Sequence, residues 1–210
     1  MKKTILAAIA LLLTAAPVVA APSVNGSTGL INTPSADVLQ PGQFSLGYYH
    51  LKDGGTGTFN MNLTGKLEVG VAGFRYDSDS DRQDHTFVNA KYGLVPETVL
   101  TPGVAIGVED IADLDKRTTY VSASKALPFG FRIHAGIGDG RYDGVFAALE
   151  KTINPVSMLT GNNVFPATTL IAEWDGENMN YGARMAVVPG LKLDLGRRDH
   201  QTYFGASFTY

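Results

Sequence analysis

Gln201-Thr202-Tyr203-Phe204-Gly205-Ala206-Ser207-Phe208-Thr209-Tyr210 closes the chain, and in it Phe204, Ala206, Phe208 and Tyr210 take every second position. Alternate side chains of an extended segment share a face, so this stretch is a strand with one apolar side. The same period runs upstream in short segments. Its rows are Phe44, Leu46 and Tyr48; Phe59, Met61 and Leu63; Leu67, Val69 and Val71; Val88, Ala90 and Tyr92; and Val104, Ile106 and Val108. They continue with Phe129, Phe131, Ile133, Ala135 and Ile137; Val145, Ala147 and Leu149; Leu170, Ala172 and Trp174; Tyr181, Ala183, Met185 and Val187; and Leu191, Leu193 and Leu195. Positions between them are mostly Gly, Ser, Asn or charged. Thr118 to Ala126 alternates too weakly to fix its register, and counting it with the last run gives about twelve strands.

The connections alternate between two kinds. Asp53-Gly54, Asp77 to Asp81, Asp110 to Asp115, Asp139-Gly140, Asp175 to Asn178 and Arg197 to His200 are polar and mainly acidic. Thr64-Gly65-Lys66, Leu94 to Pro102, Leu127-Pro128, Ile153 to Pro166 and Val188-Pro189-Gly190 lie between them and carry mainly Pro and Gly. A meander with two chemically distinct rims is what an up-and-down barrel gives when both chain ends lie on one side. Composition agrees. There are 24 Gly in 210 residues, and charged residues are 18% against a usual roughly 25%, which leaves little material for long solvated helices. With no Cys, disulfides, thiol catalysis and Cys-ligated zinc or iron are excluded. A net charge of −3 argues against nucleic acid as a partner.

A soluble sandwich would show a similar strand rhythm. The ending decides for a membrane barrel: Phe204, Ala206, Phe208 and Tyr210 resemble the terminal-strand signal through which the barrel-assembly machinery recognises outer-membrane barrels. Export is expected too. Lys2 and Lys3, the apolar run Ile5 to Ala16 and the small residues before Ala21 read as a signal peptide over residues 1–20, cut between Ala20 and Ala21. Losing two lysines leaves 15 basic and 20 acidic residues, a mature charge of −5. Tyr48, Tyr76, Tyr120, Trp174 and Tyr181 are expected near the outer rim, and Phe44, Tyr92, Phe129 and Tyr210 near the inner one, as aromatic belts in outer-membrane lipid.

If the apolar rows face lipid, the opposite positions line the lumen. Asn60, Asn62 and Asn89 fall there, with Glu68, Lys91, Glu109, Arg132, His134, Glu150, Glu173, Arg184, Lys192 and Asp194. Charges of both signs in a narrow enclosure favour internal pairing over an open pore. Gly47, Gly107, Gly130, Gly136, Gly182, Gly196 and Gly205 also face inward and leave room beside the wall. The candidate occupant is the leader, residues 21–42, ahead of the barrel at 43–210. Its Thr33-Pro34-Ser35-Ala36 could start a helical turn, with Thr33 as N-cap and Pro34 first. Lumen plug and flexible leader are the two readings of this segment.

Three constellations bear on chemistry. Asp84-His85 and Asp199-His200 could each orient a base at the outer rim, but adjacent strand residues point to opposite faces and no nucleophile motif accompanies them. Asp77, Asp79 and Asp81 begin like a calcium loop, which then fails: Arg82 stands where the turn glycine belongs and Val88 where the bidentate glutamate belongs. Gly136-Ile137-Gly138-Asp139-Gly140 lacks the helix a phosphate loop needs and reads as a strand entering an Asp-Gly turn. No catalytic residue, metal ligand or cofactor is assigned.

The run Gly29-Leu30-Ile31-Asn32-Thr33-Pro34-Ser35-Ala36, then Gly42 and a strand, resembles the N-terminal signature of the YjbH-like outer-membrane proteins. Leu127-Pro128-Phe129-Gly130, Leu170 to Gly176, Asn180-Tyr181-Gly182 and Val188 to Leu191 are similar in kind. The resemblance implies an outer-membrane barrel without enzymatic activity, with an accessory or structural role in exopolysaccharide biosynthesis or export and polysaccharide as a partner. The alternatives are a small porin or diffusion channel and, third, a hydrolase at the extracellular rim. The compartment expected is the outer membrane of a Gram-negative bacterium.

Overall fold

The computed structural model describes residues 20–80, 82–153 and 166–210. The body of the expected signal peptide, Asp81 and most of the Ile153–Pro166 connection lie outside them. Twelve antiparallel strands occupy the described residues: β1 (Phe44–Leu51), β2 (Gly54–Asn62), β3 (Leu67–Tyr76), β4 (His85–Val95), β5 (Gly103–Glu109), β6 (Thr118–Ala126), β7 (Phe131–Gly138), β8 (Gly144–Ile153), β9 (Thr168–Trp174), β10 (Met179–Val188), β11 (Leu191–Arg198) and β12 (Gln201–Thr209). Each pairs with its neighbours in sequence. β1 pairs with β12 from Ser45↔Thr209 to His50↔Phe204, which closes the sheet into a barrel. Closure removes the two open edges that a flat sheet would expose.

The faces are those the alternation requires. Along β12, Phe204 and Phe208 are exposed while Tyr203, Ser207 and Thr209 are buried. Along β7, Phe131, Ile133 and Ile137 are exposed while Arg132 and His134 are buried. A soluble domain puts the oily side in and the charges out. This transmembrane barrel reverses that order, since its outer surface meets hydrocarbon. No described helix is long and apolar enough to cross a membrane; the crossing is made by strands.

Turn chemistry fixes the register. Val188-Pro189-Gly190-Leu191 sets proline at the position where φ must be negative and Gly190 at φ 83°, the requirement of a type II turn. Arg198 to Gln201 is a two-residue hairpin with Asp199 at φ 49° and His200 at φ 64°, both left-handed, as a primed hairpin turn demands. All six acidic or polar connections lie on one rim, and the Pro- and Gly-rich ones share the other with the C-terminus.

Three expectations are corrected. Tyr120 is buried in the lumen and not on the outer belt, because β6 turns Val121 outward and Thr118, Tyr120, Ser122 and Ser124 inward. Tyr76 likewise faces inward, packed beside Phe74 with ring centroids 6.3 Å apart. Phe129 is not a strand residue: it sits in the short 3-10 turn Pro128–Gly130, and β7 begins after it.

Candidate functional site

The lumen is filled by the leader. Residues 20–36 are buried throughout, and the segment reaches β1 only at Phe44. It enters at the rim bearing the C-terminus, where Thr209 Oγ1 donates to the Ala20 carbonyl at 2.9 Å. It rises along β1 and β2, with the Tyr49 hydroxyl on the Pro22 carbonyl at 2.6 Å. At the far rim it turns back as a tight hairpin. Leu30 N–H donates to the Thr33 carbonyl at 2.9 Å, Ser35 N–H to the Thr28 carbonyl at 3.2 Å, and Gly29 bridges Pro34. Gly29 is needed there, since a Cβ would lie 2.9 Å from Pro34 Cα across the hairpin.

No helical turn starts at Thr33, contrary to the sequence expectation. The amides of Ile31, Asn32 and Thr33 all converge on the Glu173 carboxylate of β9, at 3.1, 2.7 and 3.3 Å, and Thr33 Oγ1 joins them at 2.9 Å. Successive N–H groups around one anion form a nest. The amides a Thr33 N-cap would hold, those of Ser35 and Ala36, donate instead to the Thr28 carbonyl and to Ser124 Oγ, while Thr33 Oγ1 donates to Glu173. Asn180 Nδ2 completes the shell of Glu173 at 3.1 Å. At the tip, Asn32 donates to Asp175 at 2.7 Å and accepts from Arg198.

Other wall charges hold the leader in the same manner, by its backbone. Glu68 of β3 accepts from Thr28 N–H at 2.9 Å, Thr28 Oγ1 at 2.6 Å and Leu39 N–H at 3.1 Å, and pairs with Lys91 at 3.8 Å. Lys91 of β4 donates to the Thr28 carbonyl at 2.6 Å and the Ser35 carbonyl at 3.4 Å. Arg184 of β10 pairs with Asp194 of β11 at 2.7 Å and spreads its other nitrogens over the carbonyls of Gly29 and Leu30, at 3.0 and 2.9 Å. Lower down, Arg132 of β7 joins Asp37 of the descending arm to Glu97 of the β4–β5 connection, at 2.7 and 2.8 Å. Asn60, Asn62 and Asn89 donate to the carbonyls of Gly26, Leu39 and Asn25.

The remaining sequence candidates sit around this receptor. His134 lies between Ser124 at 2.8 Å and Glu150 at 3.3 Å, and Ser124 accepts the Ala36 amide at 2.8 Å. Glu109 accepts from the Tyr142 hydroxyl at 3.0 Å, and Tyr142 also touches the Asn32 carbonyl at 3.3 Å. Lys192 is buried on β11, facing Ser207 across β12. All ten charged or imidazole candidates thus point into the barrel. Neither rim pair converges on a nucleophile: Asp84 binds the Tyr76 amide at 2.9 Å while His85 stacks on Phe74, and Asp199 and His200 form a hairpin turn. Asp77 and Asp79 are exposed, and among the described residues no group of three possible metal ligands comes together.

Loop carboxylates shape the acidic rim. Burial alone would raise the Asp110 carboxyl, but the amides of Leu114, Asp115 and Lys116, with Arg141, hold it below the usual carboxylate range. Asp139 is held low chiefly by the Thr119 amide.

Residues 22–162 match the YjbH family model, described as exopolysaccharide biosynthesis protein YbjH. The chain belongs to the YjbH family. For this YjbH-family barrel the matched stretch runs from the luminal leader through β8. Among solved structures, "KdgM porin in complex with disordered oligogalacturonate" is similar at a TM-score of 0.51 and 10% identity, over 80% of this chain and 98% of that one. A second, "KdgM porin", is similar at 0.50 and 8% identity, over the same shares. At such identities the likeness shows the barrel fold alone. No curated protein matches the chain.

The sequence reading missed the inward aromatic residues Tyr49, Phe74, Phe87, Tyr142, Phe146 and Tyr203, all buried in the lumen. A signal was present in the inward glycines. A Cβ at Gly205 would collide with Tyr49, at Gly107 with Tyr120, at Gly136 with Phe146 and at Gly196 with Tyr203. Each of these glycines is a socket for a ring on the paired strand, so the room it leaves goes mainly to the wall itself. Gly47 and Gly182 also meet the leader, with Pro22 and Ile31 placed 3.0 and 3.2 Å from where a Cβ would stand. Gly130 belongs to the turn before β7.

Proposed function

We propose that this protein is a non-enzymatic outer-membrane barrel with a structural or accessory role in surface polysaccharide biosynthesis and export, its lumen closed at rest by residues 21–42. The observation that supports it is the bonding of the wall charges. Glu68, Lys91, Arg132, Glu173 and Arg184 are engaged by the leader, most of them through its backbone, and a buried charge so engaged is unavailable to a passing solute. Export by residues 1–20 with cleavage after Ala20 fits the leader's entry point, since Ala21 then begins the mature chain inside the mouth of the barrel. The strand seam fits uptake by the assembly machinery: Tyr210 exchanges backbone hydrogen bonds with Phe44 at 3.0 and 3.1 Å, and their rings lie 5.7 Å apart.

A small diffusion channel is the second reading, favoured by the porin fold. In that reading the leader withdraws, and Lys91, Arg132, Arg184 and Lys192 are left to meet acidic sugar segments, the class of ligand named for the KdgM complex. Single-channel recording in planar bilayers separates the two. The plugged reading predicts no steady current from the native barrel and a steady current once residues 21–40 are deleted, with heat-modifiable gel migration showing that the variant is folded. A steady current from the native barrel, equal to that of the deletion, would contradict it in favour of the channel.

A further inference from the structure

Among the described residues, the two most exposed large apolar side chains, Leu100 and Phe129, lie in two turns of the rim that carries the C-terminus. Thr98 to Thr101, between β4 and β5, is rigidly built. Thr98 N–H donates to the Thr101 carbonyl at 3.0 Å, while Thr98 Oγ1 accepts from the amides of Leu100 and Thr101 at 3.3 and 3.0 Å. This framework holds Val99 at 69% and Leu100 at 89% exposure. Pro128–Gly130, between β6 and β7, holds Phe129 at 82% exposure with φ 64°. A bulky residue in the left-handed region is strained, and such strain persists only where the surroundings impose it. Inside the chain Phe129 gains no burial in return.

Both turns are tied to the outer wall. Lys125 and Lys151 stand on the outward face of β6 and β8, in register with Ile133 and Phe131 of β7. Lys125 Nζ donates to the carbonyls of Thr98 and Val99. Lys151 Nζ donates to the Phe129 carbonyl and lies 4.2 Å from the Phe131 ring centre. Each ammonium therefore sits at the edge of the lipid-facing band, its stem along the wall and an apolar tip beside it. Long cations placed so at a bilayer edge hold their heads at the phosphate level.

We infer that the two turns form an apolar foot seated in the phospholipid interface at this rim. Val99, Leu100 and Phe129 lie among the glycerol and upper acyl groups, and Lys125 and Lys151 lie level with the phosphates. The inference rests on the membrane-spanning reading of the barrel. Lipid is the occupant because the foot continues an existing lipid surface: Leu127 and Phe131 flank Phe129 in the chain, and both are exposed on the outer wall.

The barrel's single Trp makes a direct test possible. Trp174 faces outward at the opposite end of β9, so its emission reports insertion of the wall. Leu100→Trp and Phe129→Trp, each in a Trp174→Phe background, report the foot. The proteins are reconstituted into phosphatidylcholine vesicles containing lipid brominated near the headgroup end of the chains, with heat-modifiable migration checking the fold. Expected is blue-shifted emission from both foot positions, quenched by the bromolipid and shielded from aqueous iodide. Emission from both that iodide quenches and bromolipid does not, while Trp174 in the parent is quenched by bromolipid, would overturn the foot alone and point to a protein partner. Loss of bromolipid quenching at Trp174 as well would overturn the foot together with the membrane reading.

Discussion

Glu173 collects three consecutive amides, a hydroxyl and a side-chain amide of its own wall. Removing one partner of a buried hydrogen bond leaves the other to bear its desolvation, about 1–3 kcal/mol per group. Glu173→Ala orphans several at once, so a loss of about 3 kcal/mol or more is expected in urea unfolding followed by heat-modifiable migration. An unchanged urea midpoint would mean that the carboxylate does not hold the leader. The inward side of Glu173 was legible from alternation, as it was for all ten luminal candidates. Its partner was not. The wall binds main-chain groups of residues 31–33, and backbone amides carry no residue-specific mark in a sequence.

At the scale of the strand, the rows and the two kinds of connection were enough to place twelve strands, because lipid on one face and lumen on the other write a period of two into each. β6 was the weak case. Its small outward residues Ala123 and Val121 and its inward Ser122 and Ser124 differ little in polarity, so Tyr120 was drawn to the belt by its chemistry when its register puts it inside. The inward glycines carried more than was read from them: Gly107, Gly136, Gly196 and Gly205 seat rings from the paired strands. Filling a socket forces the ring or the strand to move, and overpacking of this kind costs about 1–3 kcal/mol. Gly136→Ala is expected to lower the free energy of unfolding by about 1–3 kcal/mol through Phe146, read as a lower urea midpoint, whereas Gly57→Ala, with open space around it, should leave the midpoint near the native value. Equal effects at the two positions would argue against the socket.

The whole molecule is a closed sheet wrapped around its own N-terminal hairpin. The sheet could be read from the sequence since every strand repeats one rule. The hairpin could not, because Thr28 to Ser35 is a single short run of turn-forming residues that would serve equally in a solvated leader, and only the enclosing wall selects its fold. Enclosure explains how a lumen with five acids and four basic side chains among its named candidates is filled: Glu68, Lys91, Arg132, Glu173 and Arg184 bind the leader, and Arg184–Asp194 and Lys91–Glu68 also pair with each other. The most direct test is amide hydrogen exchange of the mature chain in detergent micelles, read residue by residue by NMR. The amides of Thr28, Ile31, Asn32, Thr33 and Leu39 are predicted to exchange as slowly as those of the barrel strands. Exchange of these five at the rate of the exposed Asp77 to Ser80 connection would contradict a lumen filled by the leader.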